Sequence, residues 1–178
     1  MKNRTTLKQK MDRNMIRIVF QLIKAGVMTF GIASIIGLSC IPADDNSTQI
    51  ANAYIDFWNS HDAKSASGLF VDSVVYDDLG LGIFCNGITE LEAFANRYFQ
   101  VASEDSHFEL VASHICGDHG TIEWLMTFTT TENFWGPTPG KKVEVRGVGV
   151  IQLVGDKIAR CTDYYDVATM LRQSGGEL

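Results

Sequence analysis

The sequence predicts an α+β domain, a cone-like curved antiparallel sheet packed with N-terminal helices around an apolar pocket. Three observations lead there. Apolar residues recur at helical spacing over Thr48–Ser60 and again over Leu91–Phe99. The C-terminal half reads instead as long β-rich runs, two of which, Val143–Leu153 and Lys157–Asp166, flank a Gly155-Asp156 turn that signals a hairpin. Strands gathered behind helices in this way cannot wrap a parallel sheet, which leaves α+β. Helices laid on one face of a curved sheet enclose a pocket, where ligands tend to sit.

Taken in order, Ile50, Ala53, Tyr54, Phe57 and Trp58 form the stripe of a first amphipathic helix. His61-Asp62 breaks it, and a shorter helix is expected over Ala63–Phe70, with His61 as a helix-end cap. Ser73–Asp78 reads as a strand ending on two carboxylates, Asp77 and Asp78, and Leu79–Gly87 as a glycine-rich loop. Thr89 and Glu92 have the spacing of a capping box in front of a third helix that carries Leu91, Phe94, Ala95, Tyr98 and Phe99. Strands follow at about His107–Cys116 and Thr121–Thr131, then a turn cluster from Trp135 to Gly140, then the hairpin. Val167–Arg172 is expected to close the chain with a short helical turn.

Charge divides the chain in two. Residues 1–43 hold seven Lys/Arg and one Asp, whereas residues 44–178 hold eight Lys/Arg and twenty Asp/Glu, a balance of −12. So acidic a domain makes nucleic acid an unsuitable partner, because phosphate contacts need clustered cations. The basic lead of residues 1–43 runs into an uncharged stretch, Ala25–Cys40, of signal-core length. Residues 1–43 therefore read as a signal peptide or N-terminal membrane anchor, and the domain proper as 44–178. Three outcomes stay open: lipidation of Cys40 after Gly37-Leu38-Ser39, cleavage after Ala43, or an uncleaved anchor. Each makes the protein exported, membrane-attached or periplasmic; the alternative is a buried N-terminal helix of the fold. With Cys40 set aside, Cys85, Cys116 and Cys161 allow at most one disulfide.

Few clusters suggest chemistry. His114, Cys116, Asp118 and His119 invite a metal reading, but two-residue spacing along one strand rarely lets ligands converge, and no metal is assigned. Gly147-x-Gly149 lies inside a strand with no helix after it, so it is no dinucleotide fingerprint, and no cofactor is implied. Arg146 is expected to pair with Glu144 or Glu123 across strands, and Trp58, Trp124 and Trp135 to fill the core and pocket rim. What stands out is Asp163 in the Asp163-Tyr164-Tyr165-Asp166 cluster at the end of the hairpin.

Two regions carry a family likeness. Tyr54–Asp78 has a Tyr-bearing helix, an Asn59-x-x-Asp62 helix end, Leu69-Phe70, then a strand ending in Asp. This resembles the opening of ketosteroid isomerases and other members of the nuclear-transport-factor-2-like superfamily. Glu123-Trp124, Gly136-Pro137-x-Pro139-Gly140, Gly155-Asp156-Lys157-Ile158 and Asp163-Tyr164-Tyr165-Asp166 are similar to SnoaL-type polyketide cyclases and limonene-epoxide hydrolase relatives. The resemblance spans about Ile50–Leu171 and implies a cone-shaped α+β barrel with a deep, mostly apolar pocket, often as a dimer. It places Asp78 at the isomerases' proton-shuttling carboxylate, Tyr54 at their oxyanion-binding phenol, and Asp163 at the catalytic carboxylate of the cyclases and hydrolases. Two departures stand beside it. Gly147–Gly149 lack the isomerases' second oxyanion acid, and Trp124 and Met126 stand near where hydrolases carry an Arg-x-Asp pair.

The functional expectation is an exported domain that binds a small apolar or carbonyl-containing molecule. Cofactor-free acid–base chemistry of isomerase, cyclase or hydrolase type would use Asp163 and Asp78, with Tyr54 polarising an oxygen. The alternative is a non-catalytic binding or interaction module. In that case Asp78 caps a loop, Asp163 bonds a neighbouring strand end, and Tyr54 is a core residue of its helix.

Overall fold

A computed structural model describes residues 45–134 and 136–177. The N-terminal segment 1–43 and Trp135 lie outside the described residues. Helix α1 spans Asp45–Ser60 and buries Ile50, Ala51, Tyr54, Ile55, Phe57 and Trp58. Its inward face is turned slightly from the expected stripe: Ala51 and Ile55 are covered, and Ala53 is exposed.

The helix end is fastened by Asn59. Its side-chain amide donates to Phe108 O at 2.9 Å and its carbonyl accepts from Phe108 N at 2.8 Å, so the amide stands in for a strand partner. His61 follows the helix end with a left-handed φ of 55°, the conformation of a helix C-terminal stop, and stacks on Phe99, with ring centroids 5.3 Å apart. Asp62 caps the next turn, accepting from Lys64 N at 3.0 Å. The expected helix over Ala63–Phe70 divides into a 3-10 turn (Ala63–Ser65) and a single turn α2 (Ala66–Leu69). Phe70 already belongs to strand β1, Phe70–Asp78.

The loop expected over Leu79–Gly87 contains strand β2 (Ile83–Asn86), which pairs back on β1. Helix α3 (Ile88–Val101) starts without the expected capping box. The chain turns at Gly87, φ 98°, a conformation that favours glycine, so Thr89 already lies inside the helix. Glu90 reaches back to Asn86 N at 2.8 Å, while Glu92 pairs with Lys64 at 2.6 Å. Leu91, Phe94 and Ala95 are buried as the helical spacing predicts.

Strands β3 (His107–Cys116), β4 (His119–Thr129), β5 (Lys142–Val154) and β6 (Lys157–Tyr165) follow, then helix α4 (Val167–Gln173). Asp166 leaves the strand and caps α4, accepting from Thr169 N at 2.9 Å. The six strands form one open sheet in the order β2-β1-β6-β5-β4-β3. Four pairings are antiparallel, but β1 runs parallel to β6, so the sheet is mixed where an antiparallel one was expected. The reason is topological: the chain leaves β1 through β2 and α3, and its last strand returns beside β1 in the same direction. Register shifts at Leu110/Ala112 and Gln152/Leu153 bend the long strands.

Side chains alternate strictly along β4 and β5. Ile122, Trp124, Met126 and Phe128 of β4 face inward, with Val143, Val145, Ile151 and Leu153 of β5. Cys85, Cys116 and Cys161 are free thiols. Among the described residues no helix is long and apolar enough to cross a membrane.

Gly147 pairs with Trp124 across β4 and β5, and a Cβ on it would lie 2.3 Å from the indole ring. That ring is held between Phe108 and Tyr165, at centroid distances of 5.4 and 5.6 Å, and has no room to withdraw. Gly147→Ala is therefore expected to destabilise the domain by about 1–3 kcal/mol. Urea unfolding would show it as a lower midpoint at unchanged slope; an unchanged midpoint would mean that the ring yields freely.

Candidate functional site

The parallel pairing of β1 and β6 builds the site. It sets Asp78 and Asp163 opposite each other as register partners, with Leu79 N bonded to Asp163 O at 3.2 Å. Both side chains enter the same interior cavity, and both are nearly inaccessible, at 6% and 4% exposure. α1 adds Trp58 to the wall, β1 Tyr76, and α3 Phe94 and Tyr98. β3 and β4 supply Phe108, Trp124 and Met126, and β6 adds Tyr165. Met170 closes one end, and Leu81, half-exposed, marks where the cavity reaches the surface. The cavity measures about 40 Å³, so it is compact where a deep pocket was expected.

Asp163 is held by phenols. Tyr54 donates its hydroxyl to both carboxylate oxygens, at 2.9 and 2.7 Å, and Tyr76 donates to Oδ2 at 2.5 Å. Burial raises the Asp163 pKa to about 6; the two phenol bonds pull it down, and the nearby Asp78 pushes it up. Burial likewise raises the Tyr54 and Tyr76 phenols, reinforced by the Asp163 charge, so both stay protonated donors. The buried Cys161 thiol, with Sγ 3.8 Å from Tyr54 and 3.9 Å from Asp163, is pushed up too.

Asp78 is raised by burial against opposing hydrogen bonds. Its Oδ1 accepts from Leu81 N at 2.8 Å and from the Tyr165 hydroxyl at 2.9 Å. It thus caps the turn before β2 while facing the cavity.

The structure brings Asp163 and Asp78 to one cavity, as expected. It places Tyr54 behind Asp163, not on the cavity wall, so its hydroxyl is directed at a carboxylate. The Asp163–Asp166 cluster divides: Asp163 and Tyr165 face inward, Tyr164 faces solvent and Asp166 caps α4. Tyr76 was not singled out, although its place two residues before Asp78 on a strand puts it on the same face. The buried indole of Trp124 was also missed as a polar group. Its Nε1–H makes no hydrogen bond in standard geometry, yet lies near enough to Asp163 to lower that pKa.

Other candidates lie elsewhere. Arg146 Nε pairs with Glu123 at 3.3 Å, one of the two partners foreseen. His114 is exposed, and His119 pairs with Asp118 at 2.8 Å on an exposed turn. Gly149 stands opposite Asp163 on β5, and a Cβ there would meet Asp163 Oδ1 at 2.9 Å. The strand on which the isomerase resemblance implies an acid is here cleared to receive the acid of its neighbour.

With this geometry in place, likeness to known proteins can be weighed. Residues 51–161 match the SnoaL-like domain. The chain belongs to that family. No curated protein is significantly similar in sequence. Solved structures with the same fold include a protein with a ketosteroid isomerase-like fold from Catenulispora acidiphila DSM 44928, in complex with trimethylamine. It is 22% identical over 74% of this chain and 95% of its own, with TM-score 0.65. TsrD from Streptomyces laurentii is 15% identical over 76% and 99%, with TM-score 0.63. A Shewanella denitrificans OS-217 protein, classed by likeness as a SnoaL-like polyketide cyclase, is 19% identical over 73% and 97%, with TM-score 0.64. At these identities the SnoaL-like structures share the fold alone.

The Asp163 environment fixes the sign of a pH effect. Folded, Asp163 binds its proton up to about pH 6; unfolded, only up to about pH 4. Between those values the folded form holds the extra proton, so this group's contribution to stability declines as pH rises through the window, by ~2–3 kcal/mol. Asp78 acts in the same direction, while Asp105, Asp118 and Asp166, held low by hydrogen bonds, act in the opposite one. Urea unfolding of wild type against Asp163→Asn at pH 4 and pH 7 isolates the term. The wild type is expected to lose stability relative to the variant on going to pH 7; equal slopes would refute the raised pKa.

Proposed function

We propose that this SnoaL-like domain binds a compact, largely apolar molecule in the Asp78–Asp163 cavity and exchanges protons with it, without a cofactor. The observation that carries the reading is a buried carboxylate poised at about pH 6 on an aromatic cavity wall. At neutral pH Asp163 is mostly ionised and acts as base toward a carbon acid; Tyr54 and Tyr76 hold its oxygens in place and stabilise the charge. Asp78, raised by its own burial, stands beside it as the second proton carrier. Trp124 Nε1–H is the donor left to meet a ligand oxygen, the part that resemblance had assigned to Tyr54. A relative of this fold holding a small amine supports a pocket for compact ligands. The reaction type belongs with the isomerases, cyclases and hydrolases that share this fold.

One observation favours a second reading, a binding module without turnover. Tyr54 spends its hydroxyl on Asp163, which removes the phenol that the resemblance assigns to an oxyanion. Deuterium exchange separates the two. Small ketones, enones and aldehydes incubated with the protein in D2O and followed by NMR are expected to exchange their α-protons, with a rate midpoint near pH 6. Asp163→Asn is expected to lower that rate about 10²–10⁴-fold with its melting temperature kept within a few degrees. Full exchange in the variant would remove Asp163 from the site; tight binding with no exchange would favour the module.

The reading includes export. The basic lead and the uncharged Ala25–Cys40 stretch support a signal peptide or anchor that leaves the domain outside the cytoplasm or on a membrane. Palmitate labelling is expected on Cys40 if the lipid outcome holds. Mass spectrometry that finds a mature chain starting at Asp44 would select cleavage, and the full-length chain in the cytosolic fraction would refute export.

A further inference from the structure

We propose that the Asp78–Asp163 cavity selects a compact organic cation, an alkylated or protonated amine, over a neutral molecule of the same size. This deepens the pocket reading above and rests on it. The wall is the first ground. The rings of Trp58, Tyr76, Phe94, Phe108, Trp124 and Tyr165 surround one small space, and Trp58 is packed edge-on or stacked against several of them at centroid distances of 5.9–6.2 Å. Indole and phenol faces carry the negative side of the ring quadrupole, which attracts an ammonium group most strongly where water is excluded.

Charge is the second ground. Two carboxylates face the cavity, and among the described residues no Lys, Arg or His lines it. The basic side chains in recorded ion pairs are committed elsewhere, Lys64 to Glu92, Arg146 to Glu123 and Arg172 to Asp166. Asp163 and Asp78 are satisfied by neutral donors alone: phenols and a backbone N–H. A buried carboxylate without a counter-charge is costly, and a cation in the cavity supplies the missing one.

Size is the third ground. A water needs roughly 10–15 Å³ of such space, so about 40 Å³ takes a group of roughly three or four non-hydrogen atoms. That is the size of a trialkylated ammonium head.

Only the carboxylates change charge across the ordinary pH range. Around them, Tyr54 from α1, Tyr76 from β1, Tyr98 from α3, and Cys161 and Tyr165 from β6 are all pushed up and stay neutral. β3, β4 and α4 present Phe108, Trp124, Met126 and Met170, which do not titrate.

The test uses the full chain with two probes of equal size, tetramethylammonium chloride and tert-butanol, at constant ionic strength set by sodium chloride. Binding is read by calorimetry and by quenching of tryptophan fluorescence. Tetramethylammonium is expected to bind at least about tenfold more tightly than tert-butanol at pH 8, and to weaken about tenfold or more at pH 5. Asp78→Asn is expected to weaken it also, while Glu123→Gln, on the outer face of the sheet, leaves it unchanged. Equal affinity for the two probes, an unchanged affinity at pH 5, or no saturable binding of the cation would overturn the inference. Tight binding of tert-butanol without cation preference would do so while leaving the pocket reading intact. Cation selectivity without any deuterium exchange in the carbonyl panel would instead remove only the acid–base chemistry.

Discussion

Everything distinctive about this domain depends on keeping one carboxylate, Asp163, inside a protein interior. Removing such a group from water costs several kcal/mol unless hydrogen bonds replace its hydration. Here the replacement comes from two elements distant in sequence, Tyr54 on α1 and Tyr76 on β1. The bonds tie the helix layer to the sheet through one polar centre in an otherwise aromatic core. They offset the burial penalty only in part, which is why Asp163 titrates near pH 6 and not in the usual carboxylate range.

That centre needs space, and the space comes from glycines on the neighbouring strand. Gly149 leaves room for the Asp163 carboxylate, and Gly147 lets the Trp124 indole lie flat against β5. In sequence terms these two positions look like losses, since the isomerase resemblance implies an acid on that strand. In the fold they are conditions for a different arrangement, in which the acid comes from β6 and β4 lays an aromatic ring over the bare strand.

Much of this was legible beforehand. The hairpin over Val143–Asp166, the helix carrying Tyr54 and Trp58 and the α+β class follow from periodicity, and the choice of Asp78 and Asp163 as candidates from family likeness. Four matters did not. The parallel β1–β6 pairing is a long-range contact that local pattern cannot encode, and it alone makes the two carboxylates neighbours. The start of α3 was misplaced because a Thr-x-x-Glu spacing resembles a capping box, while the backbone freedom of Gly87 decided the turn. The hydroxyl of Tyr54 was hidden because a helix stripe shows that the residue is buried, as it is, but not that its hydroxyl ends on a carboxylate. Pocket volume was also hidden, since it is what remains after Trp58, Phe108 and Trp124 have packed.

The proton and a bound cation would compete for the same pair of carboxylates, and that competition links recognition to chemistry. Linkage is reciprocal: a ligand that binds the ionised pair more tightly lowers the pKa of that pair by the same free energy. Alone, Asp163 lies close to half-protonation just below neutral pH, and Asp78, raised as well, resists a second charge beside it. A positive ligand relieves that repulsion and draws Asp163 into its carboxylate form when a substrate is within reach. A neutral ligand of equal size leaves the proton in place. On this account the aromatic wall and the acid pair work as one device, in which the charge that is recognised also readies the base.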